Sequence, residues 1–168
     1  ADQSLDFIRD GSVLLHSRVV IGRKDNPTPI LRTMVAGVVT NPPWDIPDDI
    51  VAQSILPKLR RSPDYLATRN MVLADGPADD PQGININWQD VHAGNIPYQF
   101  QQNSGADNAL GALMLDMPNK FNVYLHDTPN KDLFLSDMRE KSHGCVRVEE
   151  IFPLASLALT DSTEDGAY

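Results

Sequence analysis

Cys145 is the single cysteine of the chain. It sits in the run Ser142-His143-Gly144-Cys145-Val146-Arg147, and a second histidine, His126, stands upstream in Tyr124-Leu125-His126-Asp127. A thiol with imidazoles in reach is enough for acyl transfer. The thiolate attacks a carbonyl, and a base or a positive field must help form it near neutral pH. Fifteen residues separate His126 from Ser142, enough for a strand to end, a loop to cross and the thiol to return beside the imidazole. A lone cysteine is more often an inert apolar side chain than a nucleophile. Two local features argue against that here: Gly144 lets the backbone approach a ligand closely, and the flanking residues are polar, unlike a core strand.

Each neighbour then takes a chemical role. Cys145 is the expected nucleophile, its thiolate favoured by a helix that should start a few residues later. His126 is the expected base, taking the thiol proton and later returning one to the leaving amine. The N–H groups of Gly144 and Cys145 form the natural oxyanion hole for the tetrahedral intermediate. Three roles are open to His143: assisting the base, binding a substrate carboxylate, or shaping the loop. Arg147, always charged, either anchors a substrate carboxylate or braces the loop against an acid such as Glu149. Ser142 supports the loop by hydrogen bonding and is placed with Tyr124 and Arg147 on the substrate side. Tyr124 lies two residues before His126 and so shares its sheet face, as a groove wall or as core.

These residues need strands to hold them. Leu5 to Ile21 reads as two strands around Asp10-Gly11, a hairpin signal, followed by a polar loop from Gly22 to Pro29 and a strand over Met34–Thr40. Asn41-Pro42-Pro43-Trp44 breaks the pattern, because two adjacent prolines suit neither helix nor central strand. A helix-containing insertion is expected over about 44–95, with Ile50, Val51, Ile55 and Leu59 apolar and Pro57 forcing a kink or two short helices. It either covers the sheet or acts as a lid. Strands resume at Tyr98–Gln101, Leu113–Met117 and Phe121–His126, the last carrying His126 at its end. After the cysteine loop, Glu149–Thr160 reads as a helix with Glu149 and Glu150 in its first turn, where Pro153 is tolerable.

Composition narrows the function. The 168 residues suit one domain with a sizeable core, and 41% hydrophobic content marks a globular chain. Fourteen Lys and Arg against 23 Asp and Glu give a net charge of −9, which argues against nucleic acid as a partner. No run approaches the roughly 20 apolar residues of a membrane helix. The four histidines His16, His92, His126 and His143 lack paired-ligand spacing, so no metal is expected. The opening Ala1-Asp2-Gln3-Ser4, without a basic apolar leader, suggests a piece of something longer whose signal peptide has been removed.

The pairing of an upstream histidine with Ser-His-Gly-Cys, an apolar residue and Arg resembles the L,D-transpeptidases of bacterial cell walls (the YkuD type). Gly22-Arg23 with Thr28-Pro29, Asn41-Pro42-Pro43-Trp44, Gln101 to Gly111, and Leu125 to Asn130 resemble the branch with a helical cap inserted in the catalytic domain. Departures from the pattern are an N-terminal strand that reads as truncated and the lack of an accompanying wall-binding module. The resemblance implies an α+β fold, mostly β: a mixed β-sandwich with a small helical cap over 44–95. It also implies that the Asp127 carbonyl orients His126, with the Asp127 side chain either adding a contact or facing solvent. Cys145 would attack the bond between diaminopimelate and the terminal D-alanine of a tetrapeptide stem, releasing D-alanine, and a second stem's amine would resolve the thioester into a 3→3 cross-link. Peptidoglycan stems are then donor and acceptor, carbapenems are inhibitors, no cofactor is needed, and the site of action is the periplasm of a Gram-negative cell. Rival readings are a hydrolase using the same thioester, a papain-like protease (disfavoured, since its cysteine precedes its histidine), and a non-catalytic wall-binding module.

Overall fold

The computed structural model describes residues 2–164, with side chains through residue 160. Along the chain the strands are β1 (Ser4–Arg9), β2 (Ser12–Gly22), β3 (Gly37–Thr40), β4 (Trp44–Ile46), β5 (Met71–Leu73), β6 (Phe100–Gln102), β7 (Leu113–Asp116), β8 (Leu125–His126), β9 (Glu140–Ser142) and β10 (Val146–Val148). The helices are α1 (Asp48–Ile50), α2 (Leu56–Leu59), α3 (Tyr65–Thr68) and α4 (Ile151–Glu164), with a π turn (Val51–Ile55) and a 3-10 turn (Lys131–Leu135). The class is α+β, as the sequence implies. The chain divides into two compact units, one built from the segments through Pro42 and from Leu110 onward, the other from Pro43–Ala109.

The first unit is a mixed sheet in the order β1-β2-β10-β8-β7-β3, with β9 also pairing β2. β1 and β2 form the expected hairpin, and both turn residues, Asp10 (φ 50°) and Gly11 (φ 75°), take the left-handed conformation such tight turns require. β10 lies antiparallel to β2 and parallel to β8, and β9 lies parallel to β2. The core places Val19, Leu113, Leu115 and Val148 under Ile151, Leu154 and Ala155 of α4, the one-sided stripe of an amphipathic helix.

Several boundaries differ from the sequence reading. The Met34–Thr40 strand begins only at Gly37. The Phe121–His126 strand shrinks to Leu125–His126, because Asn122 takes φ 52° and breaks the extended run. The last helix starts at Ile151, so Glu149 and Glu150 precede it. The Glu150 carbonyl accepts the Leu154 N–H, and its own N–H donates to Ser17 Oγ at 3.0 Å.

The second unit has its own core of Val51, Ile55, Leu56, Leu59, Leu66, Trp88 and Phe100. It is not only helical: β6 lies antiparallel between β4 and β5. That pairing gives the strand expected near Tyr98 to this unit, which spans Pro43–Ala109. Pro57 lies at the start of α2, next to the π turn; its missing N–H and bulky ring interrupt regular helical bonding, giving two short helices in place of one.

Candidate active site

The first unit assembles every residue singled out for chemistry. β8 and β10 run side by side with Leu125 level with Val146, and His126 level with Arg147. Residues level on neighbouring strands point to one face, and residues two apart on a strand share a face, so His126, Arg147 and Cys145 lie on the same side of the sheet. Cys145 is the last residue of the His143-Gly144-Cys145 loop between β9 and β10. The Val146 N–H donates to the Tyr124 carbonyl at 3.0 Å, bringing the thiol level with the approach to β8.

Backbone groups surround the sulfur. The half-buried Cys145 thiol donates to the Asn122 carbonyl at 3.6 Å, and the Tyr124 N–H faces the sulfur. Tyr124 therefore contributes its main chain. The left-handed Asn122, which shortens the strand, is also what turns its carbonyl toward the thiol. Burial pushes the thiol pKa above its ordinary value, although the Tyr124 N–H and the Arg147 charge pull the other way. The helix expected to favour the thiolate starts at Ile151, with β10 between it and Cys145 in the chain.

His126 is 4% exposed. Its Nδ1 lies 2.5 Å from the Asp127 carbonyl, so Nδ1–H donates and Nε2 keeps its lone pair. Burial first, and the Arg147 charge second, hold the imidazole down to about 4, against the opposing carbonyls of Asp127 and Leu110. Both shifts favour the neutral form of their group. The Asp127 carboxylate turns away from the imidazole, accepting the Ala112 N–H at 3.0 Å and pairing with the Lys131 ammonium. Burial alone would raise its pKa, but Lys131 and the Ala112 and Thr128 N–H groups outweigh it and leave it low.

Ser142 is buried and works within the loop. Its hydroxyl donates to the Cys145 carbonyl at 2.5 Å and accepts the Gly144 N–H at 3.1 Å. The first bond shows that Ser142 faces the loop and not the substrate side. The second commits the Gly144 N–H to Ser142, leaving the Cys145 N–H as the other main-chain donor of the pair singled out in the sequence. Gly144 itself has φ 118°, a left-handed conformation that strains any residue with a β-carbon, although the space beside it is open. Gly144→Ala is expected to lower stability by about 1–3 kcal/mol and to cut activity further by turning the adjacent peptides, read by denaturant midpoint and acylation rate together.

Arg147 is half-buried, with its Nε enclosed and without a hydrogen-bond partner among the described residues. It does not brace Glu149. That carboxylate is held by Arg18, at 2.7 Å from Nε and 2.5 Å from Nη2. His143 is half-buried on the same loop. Among the described residues no cluster of three His, Cys, Asp or Glu side chains could hold a metal ion.

A family model described as the L,D-transpeptidase catalytic domain (YkuD) matches residues 1–163. The chain belongs to the YkuD L,D-transpeptidase family. A protein of Haemophilus influenzae described as "Putative L,D-transpeptidase" is 37% identical over 158 residues, covering 94% of this chain and 32% of that protein. This YkuD domain thus spans about a third of the length of that curated relative. No helix among the described residues is long and apolar enough to cross a membrane.

Sequence reasoning missed three participants. Asn122 falls inside the strand expected over Phe121–His126, although asparagine is among the few residues that readily take left-handed φ. Lys131, four residues after Asp127, carried a spacing signal only for a helix, whereas it lies at the start of a 3-10 turn. Thr28 gave no chemical signal, and its partner lies 116 residues away.

Proposed function

We propose that this domain is a peptidoglycan L,D-transpeptidase working through a Cys145 thioester. The carrying observation is the placement of Cys145 on the His126 face of the sheet, with Nδ1 of His126 tied to the Asp127 carbonyl and Nε2 left as the proton acceptor. Because thiol and imidazole are both neutral at rest, the proton moves to Nε2 as sulfur attacks the stem carbonyl. The tetrahedral oxyanion forms against the Cys145 N–H. His126 then returns the proton to the departing D-alanine amine, leaving a thioester. The side-chain amine of diaminopimelate from a second stem attacks the thioester carbonyl; the C–N bond forms as the C–S bond breaks, His126 passes the amine proton to the departing Cys145 sulfur, and the 3→3 cross-link is closed. His143 assists at the mouth of the loop, carbapenems acylate the same sulfur, and the site of action is the periplasm of a Gram-negative envelope.

Arg147 has two tasks on this reading. Its charge favours the thiolate, and its guanidinium, whose Nε has no hydrogen-bond partner among the described residues, takes the carboxylate of the stem. Arg147→Met should raise KM for a carboxylate-bearing stem by about tenfold or more, the loss of one charge-assisted hydrogen bond. The same variant should move the pH midpoint of thiol alkylation upward, because the positive neighbour is gone. A midpoint that stays put would remove Arg147 from the site.

Incubation with purified tetrapeptide muropeptides, followed by mass spectrometry, tests the activity. Cross-linked dimers with free D-alanine are expected. Trimmed stems without dimers would instead show a hydrolase with water as acceptor, and no product together with no carbapenem adduct would leave a wall-binding module.

A further inference from the structure

We propose that Thr28 is a positioning residue that aims the oxyanion donor. Thr28 lies in the loop after β2, and its hydroxyl makes two hydrogen bonds: Oγ1 accepts the Gly22 N–H at 2.9 Å and donates to the Gly144 carbonyl at 2.8 Å. The Gly144 carbonyl and the Cys145 N–H are opposite ends of one planar trans peptide. Pinning the carbonyl on one side therefore sets the direction of the N–H on the other.

Three successive peptide planes run through the loop. Ser142 holds the first through the Gly144 N–H and the third through the Cys145 carbonyl. The middle plane, which carries the donor left for the oxyanion, is held by Thr28. That plane is the one most in need of a clamp, because Gly144 has no side chain to resist rotation about its own bonds.

The hydroxyl is itself rigidly mounted. A β-carbon on Gly22 would stand 2.3 Å from the Asn26 carbonyl oxygen and 2.4 Å from the Thr28 nitrogen, so the loop folds directly onto the end of β2. The Asn26 N–H donates to the Arg23 carbonyl at 3.0 Å, the Arg23 guanidinium returns to Asn26 Oδ1, and the Arg23 N–H reaches the Ser142 carbonyl at 3.0 Å. One short loop thus ties the end of β2 both to the end of β9 and to the peptide before the nucleophile.

The proposal rests on the acyl-transfer reading, and its test separates the two. Alkylation of Cys145 by iodoacetamide needs the thiolate but no oxyanion donor, whereas acylation by a carbapenem needs both. Thr28→Val and Thr28→Ala should keep the alkylation rate within about twofold across pH, while the limiting acylation rate falls about 10- to 100-fold with half-saturation unchanged. Thr28→Ser should restore acylation to within a few-fold of the parent. Parental acylation in both Thr28→Val and Thr28→Ala overturns the proposal and leaves the acyl-transfer reading standing. Equal loss of alkylation and acylation in both, without rescue by Thr28→Ser, overturns it in favour of a purely structural loop. A parent that accepts no acyl group overturns the proposal together with the reading beneath it.

Discussion

Replacing Cys145 with alanine is expected to abolish acyl transfer while leaving the fold in place. The side chain makes little structural contribution: its hydrogen bond to the Asn122 carbonyl is 3.6 Å long. The loop is held instead by main-chain and hydroxyl groups that alanine leaves untouched, namely Ser142 on the Cys145 carbonyl, Thr28 on the Gly144 carbonyl and the Val146 N–H on Tyr124. Loss of a covalent nucleophile costs on the order of 10⁴-fold or more in turnover. Intact-mass spectrometry after exposure to a carbapenem should show one adduct on the parent and none on Cys145→Ala, with melting temperatures within a few degrees. An adduct on the alanine variant would place the nucleophile elsewhere.

The second large effect is on pH dependence, and it follows from burial of the pair. His126 must be neutral to accept the thiol proton. Because its pKa is lowered from 6.5 to about 4, the acid limb of the acylation rate should fall near pH 4 and not near pH 6.5. The thiol is shifted the other way, so alkylation of the free enzyme should be slow at neutral pH and rise only above the ordinary cysteine range. His126→Gln should cut acylation by about 10²- to 10⁴-fold, the usual contribution of a positioned base, while leaving slow alkylation at high pH. An alkylation rate already at its plateau at pH 6 would mean a resting thiolate–imidazolium pair and would contradict the neutral-pair arrangement.

The same burial links His126 to stability. An unfolded imidazole takes a proton near 6.5, whereas the buried one refuses it until about 4. The unfolded state therefore binds more protons in that window, and stability should decline as pH falls through it. Chemical denaturation at pH 7 and pH 5 should show the decline in the parent and less of it in His126→Gln.

What could be read from the residues was local. The Asp10-Gly11 turn announces its hairpin because both positions need a conformation that those residue types tolerate. The apolar spacing of Ile151, Leu154 and Ala155 announces a helix with one buried face. The paired prolines before Trp44 mark where the first unit stops and the second begins. The fold departs from the local pattern where one residue overrides a run. Asn122 turned a six-residue strand into two residues, and β6 joined β4 and β5 because hydrogen-bonded partners, not sequence order, decide which sheet a strand enters.

By itself the sequence determined which reactive groups the chain owns: one thiol, an upstream histidine, and a glycine-containing loop between them. Those follow from residue type and short spacing. Only the tertiary structure decided their state and their partners. Burial sets both pKa shifts, and burial is a property of everything packed around a side chain. The register of β10 against β8 sets Arg147 beside His126, while Arg18 takes Glu149. Ser142 occupies the Gly144 N–H, and Thr28, 116 residues away, holds the Gly144 carbonyl. A hydrogen bond depends on distance and direction between two atoms, and neither quantity exists until distant segments have been brought together by the fold.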